Sequence, residues 1–219
     1  MNLIHSPYKI RVVYVIIFFF IAIFFTQDYE FTNKYLLTKN SSLPINQENL
    51  KSCDIIFRRG LSLVSNLVLS ADSHSPFSHI GIIIKEKKNI TVVHVVPDES
   101  ETGIDIIKKD EMNEFLRSDR ASAYAVYRYK SEIDFSKLES YIKSQLKREI
   151  LFDGEFDLSS SDKLYCTEFV YKSFLEAGID LIDNKFDTLL IPIGKNPFIL
   201  PGRILTSSYL TKITEYFND

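Results

Sequence analysis

Three side chains in this sequence carry chemistry when taken together. They are Cys166, in the stretch LYCTEFVY, and two histidines upstream, His79 in FSHIGIII and His94 in VVHVV. Ser159, Ser160, Ser161 and Asp162 all suit the N-cap of a helix over about 163–177, with Gly178 in the C′ role after it. Cys166 then falls in or near the first turn, where free N–H groups and the helix dipole favour an anion. The expectation is a thiol pKa below the ordinary value of about 8.5. A lone helical cysteine is otherwise a small buried hydrophobe, so a nucleophile needs a base beside it, most often histidine. His5 lies in the N-terminal leader and is set aside. His79 opens one strand and His94 lies near the end of the next. A turn near Lys87–Lys88 makes the two cross-strand neighbours. One imidazole can then take the thiol proton while the other orients it.

The elements that position these groups read as follows. DIIFRRG is a short β-run stopped by Gly60, and LSLVSNLVLS (61–70) has helical spacing. The strands 79–84 and 90–96 form a hairpin that stops at Pro97. GIDIIKKDEMNEFL begins with a short strand at 104–107 and continues as a short helix. ASAYAVYRYK alternates as a strand, and 134–149 is an amphipathic helix with Asp134 or Ser136 as its cap. The prolines of the tail mark loops before a late strand. The fold class is α+β, a small antiparallel sheet packed against helices.

Lys9 and Arg11 precede an unbroken apolar run from Val12 to Phe25. That run suits a secretory leader or an uncleaved anchor, and either places the remainder outside the cytoplasm. The organisation read from the chain is a signal peptide or membrane anchor (1–26), a spacer (27–50) and a domain (51–219). The expected location is periplasmic or extracytoplasmic, with 12–25 as the tether to the inner membrane. A net charge of −3 offers no basic field for nucleic acid.

Taken in order, DIIFRRG, FSHIGIII, VVHVV and FDGEFDLSSSDKLYCTEFVYKSF resemble the circularly permuted, NlpC-related papain-like cysteine hydrolases, specifically the YiiX/YebB-like group. The two histidine strands come first and the cysteine helix last. The resemblance covers roughly residues 52 to 178. It implies a permuted papain-like fold in which Cys166 is the nucleophile, His79 the general base and His94 the residue orienting the base. It also implies a structural role for Asp54 at the strand start and matches Glu168 to the position two after the nucleophile, where a helix-surface or structural carboxylate is the reading. Cys53 stands where the family commonly has glycine.

The implied chemistry is thiol attack on an amide or ester carbonyl through an acyl-enzyme, without a cofactor or metal. The expected substrate is an amide in a small cell-wall peptide, a peptidoglycan fragment or an acyl-amide. Lipid acyl hydrolysis or transfer is the alternative, with LSLVSNLVLS and IPIGKNPFIL read either as core or as a lipid-accepting groove. Three competing readings stand beside it. Cys53 and Cys166 can pair as a disulfide in an oxidising compartment. His74, His79, His94 and Cys166 can bind zinc, although no CxxC or HxxxH spacing is present. A tethered binding module can keep the fold without turnover. The loop DSHSPFS (72–78) is expected to be a flexible rim.

Overall fold

The computed structural model describes residues 41–87, 89–97, 99, 104–188 and 197–218. The apolar run Val12–Phe25, expected as leader or anchor, and residues 191–196 of IPIGKNPFIL lie outside the described residues. Among the described residues no helix is long and apolar enough to cross a membrane. The folded unit spans Ser42–Asp219, so it begins within the stretch read as spacer.

The strands are β1 (Ile55–Gly60), β2 (His79–Glu86), β3 (Asn89–Val95), β4 (Ile107–Glu111), β5 (Ala121–Tyr129), β6 (Leu151–Phe152), β7 (Lys163–Leu164) and β8 (Leu210–Phe217). The helices are α1 (Leu63–Ala71), α2 (Met112–Phe115), α3 (Phe135–Lys147), α4 (Cys166–Glu176) and α5 (Pro201–Leu205). Six strands form one antiparallel sheet in the order β4-β3-β2-β1-β5-β8, and β6 pairs parallel with β7.

Side chains alternate across a strand, so this sheet has two apolar faces. Ile55, Phe57, Ile80, Ile82, Val93 and Ala125 face the cluster that buries Phe169, Val170 and Phe174 of α4 with Leu138 and Ile142 of α3. Ile56, Ile83, Val92 and Val126 face a second cluster with Leu43, Leu50, Met112, Phe115 and Leu116. With both faces covered, Ile55–Phe57 of β1 and Ile82–Ile84 of β2 are unbroken apolar stretches rather than alternating ones.

Two boundaries and one burial differ from the sequence expectation. The cysteine helix begins at Cys166 with Tyr165 as N-cap, not near 163, because Lys163–Leu164 is drawn out as β7 against Leu151–Phe152. The strand expected at 104–107 lies at Ile107–Glu111, where the charged run Lys-Lys-Asp-Glu pairs with β3 as a sheet edge. LSLVSNLVLS does form a helix, but α1 buries none of its residues, and Leu63 (84% exposed) and Leu67 (70%) stand in solvent. It is therefore not core. Elsewhere Asp134 caps α3 by accepting from Ser136 N–H, and Gly178 takes a φ of 80° just after α4.

Candidate active site

Cys166 is the first residue of α4, and the helix start is braced from three sides. Thr167 donates to the Ile199 carbonyl at 2.6 Å, and the Tyr165 hydroxyl accepts from Ile199 N–H at 3.0 Å. Glu168 is fully buried; its Oε2 accepts from Tyr165 N–H at 3.3 Å, and Lys172 meets its Oε1 at 2.7 Å. Burial raises the Glu168 pKa to about 7 against the opposing pull of Lys172. Glu168 is thus structural, not a helix-surface residue.

The Cys166 thiol is pushed up to about 11 by burial. The backbone N–H groups of Ile80, Thr167 and Cys166 itself act on the sulfur in the opposite sense and do not win. The lowered pKa expected from the helix start is therefore overturned: desolvation of the charged form outweighs the dipole. The contact with Ile80 N–H has a second meaning, because Ile80 follows His79 on β2. It sets the nucleophile beside the strand that carries the first histidine. No hydrogen bond joins the sulfur to either ring among the described residues. Because the resting thiol is protonated, iodoacetamide alkylation of Cys166 should climb steadily from about pH 6 to beyond about pH 9. A rate plateau below about pH 7 would instead reveal a pre-formed thiolate–imidazolium pair.

His79 and His94 meet directly. His79 Nε2 lies 2.8 Å from His94 Nδ1, with the rings 70° apart and both nearly free of solvent. Ile82 pairs with Val93, so His79 and His94 lie diagonally across β2 and β3 on one face. Phe115 of α2 packs against both rings, edge-on to His94 at 4.9 Å. Gly81 makes this approach possible. A Cβ there would lie 2.6 Å from Val92 Cγ1, 3.0 Å from the Val93 carbonyl oxygen and 3.1 Å from His94 Cβ.

The far nitrogen of His94, Nε2, lies 3.0 Å from Asp110 Oδ2 on β4. Lys108 Nζ reaches both Asp110 and Glu99 at 3.0 Å. Glu99 pairs with Arg58, whose guanidinium sits 4.7 Å over the Phe115 ring and donates to the Phe115 carbonyl. Burial lowers the pKa of His79 well below the ordinary histidine value, reinforced by the charges of Arg58, His94 and Lys108. Burial also lowers His94, against the upward pull of Asp110. Both rings are thus neutral at neutral pH. Glu99, though burial pulls it upward, is held down at about 2 by Arg58, His94, Lys108 and Arg120.

Cys53 and Cys166 are both free thiols, so there is no disulfide. Cys53 adopts a φ of 67°, the left-handed conformation that accounts for glycine at such a position. Asp54 is buried, accepts from Lys51 N–H and pairs with Arg128 at 2.6 Å, which is a structural role. His74 stands apart, its ring against Ser73 and its N–H on Asp72. The 72–78 loop is tied rather than flexible: Asp72 accepts from Gly202 N–H, and Ser78 accepts from Gly60 N–H. Asp110, Glu99, Arg58 and Phe115 were not singled out from sequence. The usable signal for Asp110 was a two-residue alternation of Lys108 and Asp110, which emerges only once 107–111 is read as a strand.

A family model described as permuted papain-like amidase enzyme, YaeF/YiiX, C92 family, matches residues 49–191. Among solved structures, metalloprotein yiiX from Escherichia coli O157:H7 aligns with a TM-score of 0.63 at 21% identity, over 76% of this chain and 98% of that one. At that identity the likeness is one of fold. No curated protein matches the chain.

Proposed function

The chain belongs to the permuted papain-like amidases of the YaeF/YiiX, C92 family, and from that premise we propose that it cleaves its amide with Cys166 as nucleophile, His79 as general base and His94 orienting the base. The observation that carries the reading is the 2.8 Å bond between His79 and His94, with the Cys166 sulfur at the N–H of the residue after His79. In the proposed cycle the thiol proton passes to His79 as sulfur bonds to the carbonyl carbon. The Cys166 N–H at the start of α4 is a donor for the oxyanion. Collapse breaks the C–N bond, His79 returns its proton to the leaving amine, and a thioester remains. Water then attacks the thioester, giving a proton to His79. The C–S bond breaks and the thiol reforms.

The substrate class we favour is an amide in a cell-wall peptide or an acyl-amide. Wild type and Cys166→Ala should be incubated with muropeptides, acyl-amides and lipid esters, with products followed by mass spectrometry. Amide products from wild type, absent from the variant, support the reading; cleavage that persists in Cys166→Ala overturns it. The apolar run Val12–Phe25 supports an exported, membrane-held domain, which protease accessibility in intact cells tests.

The E. coli protein of similar fold is described as a metalloprotein. The residues here do not fit a resident ion. His79 Nε2 and His94 Nδ1 face each other at 2.8 Å, so their lone pairs cannot converge on one metal about 2.0–2.1 Å from each nitrogen. His74 is engaged elsewhere.

A second reading, lipid acyl hydrolysis, is favoured by α1. This apolar helix buries nothing, follows the end of β1 that carries Arg58, and leads into the loop before His79. Under that reading, Leu63→Gln with Leu67→Gln reduces turnover of vesicle-borne lipid esters and leaves soluble amide turnover alone. Equal rates on both substrates remove the case for it.

A further inference from the structure

We propose that Asp110 is a positioning residue that selects, through His94, the tautomer in which the Nδ1 nitrogen of His79 is bare and available to the Cys166 proton. The inference rests on the nucleophile–base reading above. An ionised carboxylate only accepts hydrogen bonds, so the hydrogen between Asp110 Oδ2 and His94 Nε2 belongs to His94. A neutral imidazole carries one hydrogen, so His94 Nδ1 is an acceptor. The hydrogen in the 2.8 Å bond between the rings therefore belongs to His79 Nε2. By the same rule His79 Nδ1 has none. The choice made at Asp110 is passed across two rings to the atom that must act as base.

The surroundings hold that choice in place. Against the upward pull of burial, the hydrogen bond from His94 holds the Asp110 carboxylate ionised, and Lys108, two residues earlier on β4, adds to this from 3.0 Å. Lys108 also bonds to Glu99, which pairs with Arg58 and Arg120. Among the described residues, the charged groups acting on the two rings are Asp110 and Lys108 from β4 and Arg58 from β1, with Glu99 behind them, while the Cys166 thiol of α4 lies at the N–H of Ile80. Burial of both rings disfavours a second proton on either, so one hydrogen per ring is the resting state. Reversing the tautomer would require Asp110 to donate, which an amide in its place can do.

The experiment uses iodoacetamide as the probe of Cys166 at about pH 7, with the full chain. Asp110→Asn is expected to slow alkylation on the order of tenfold or more, because His79 Nδ1 no longer accepts the thiol proton as the sulfur attacks. Lys109→Gln, which removes an outward pairing with Glu86, serves as control and should match wild type. If His79→Ala labels as fast as wild type, the nucleophile–base reading fails and takes the proposal with it. If His79→Ala is slow but Asp110→Asn keeps the wild-type rate, the Asp110 proposal alone is overturned. Nitrogen-15 spectra of the imidazoles in wild type decide independently of any folding defect in the variant. They should show His79 protonated at Nε2 and bare at Nδ1; protonation at Nδ1 in the resting protein overturns the proposal.

Discussion

Replacing His79 by alanine should lower kcat/KM for the amide substrate on the order of 10³-fold, the scale of a lost general base. The size follows from the state of the thiol. A cysteine already ionised would keep much of its reactivity without a base, but burial pushes the Cys166 thiol to about 11. Almost none is thiolate at neutral pH, so proton removal must occur during attack. The pH dependence has a definite sign. His79 is held well below the ordinary histidine value, so the base is unprotonated down to mildly acidic pH and the acidic limb of kcat/KM falls below about 6.5. Wild-type-like turnover by His79→Ala, or an acidic limb near pH 7, would refute this assignment.

The second large effect is on stability. Arg58 is 2% exposed and holds Glu99, the Phe115 carbonyl and the Phe115 ring at once. Arg58→Met keeps most of the volume but strips a mostly buried carboxylate of its most buried partner, costing about 3 kcal/mol in urea unfolding at neutral pH. Glu99 retains Lys108 and Arg120, which keeps the cost from being larger. The folded pKa of Glu99, about 2, lies below its ordinary 4.5. Its contribution is therefore complete above pH 4.5 and is lost as pH falls toward 2, so the penalty of Arg58→Met should shrink over that window. The same substitution removes a cation that lowers both histidines, so their pKa values rise and the acidic limb of activity moves to higher pH. A loss below about 1 kcal/mol would show that this network adds little.

Much of the architecture was legible because β-branched runs and turn residues mark β1, β2, β3 and β5, and a 3.6-residue period marks α3. The three proposed catalytic side chains were legible from type and order. What failed has physical causes. The sequence run Lys-Lys-Asp-Glu resembles a solvated helix face, so β4 was placed early and Asp110 was hidden. α1 carries the apolar content of a core helix, yet nothing in a helical period says whether the sheet has room for it. The thiol pKa depended on burial, a tertiary quantity that cancelled a correct local argument about the helix start. Arg58 stands beside Arg59 at the end of a β-run, and only its packing over Phe115 marks it as part of the site.

Gly81 contributes no atom to any proposed step, yet it sets the tolerance of the arrangement. Its missing methyl group lets β3 lie close enough for the two rings to meet at 2.8 Å. A single added carbon would wedge the strands apart by tenths of an ångström, enough to stretch that bond while leaving every reactive group in place. The accuracy of the proposed proton path is therefore machined by an empty volume, and a lesion there would read as poor catalysis from a chemically complete enzyme.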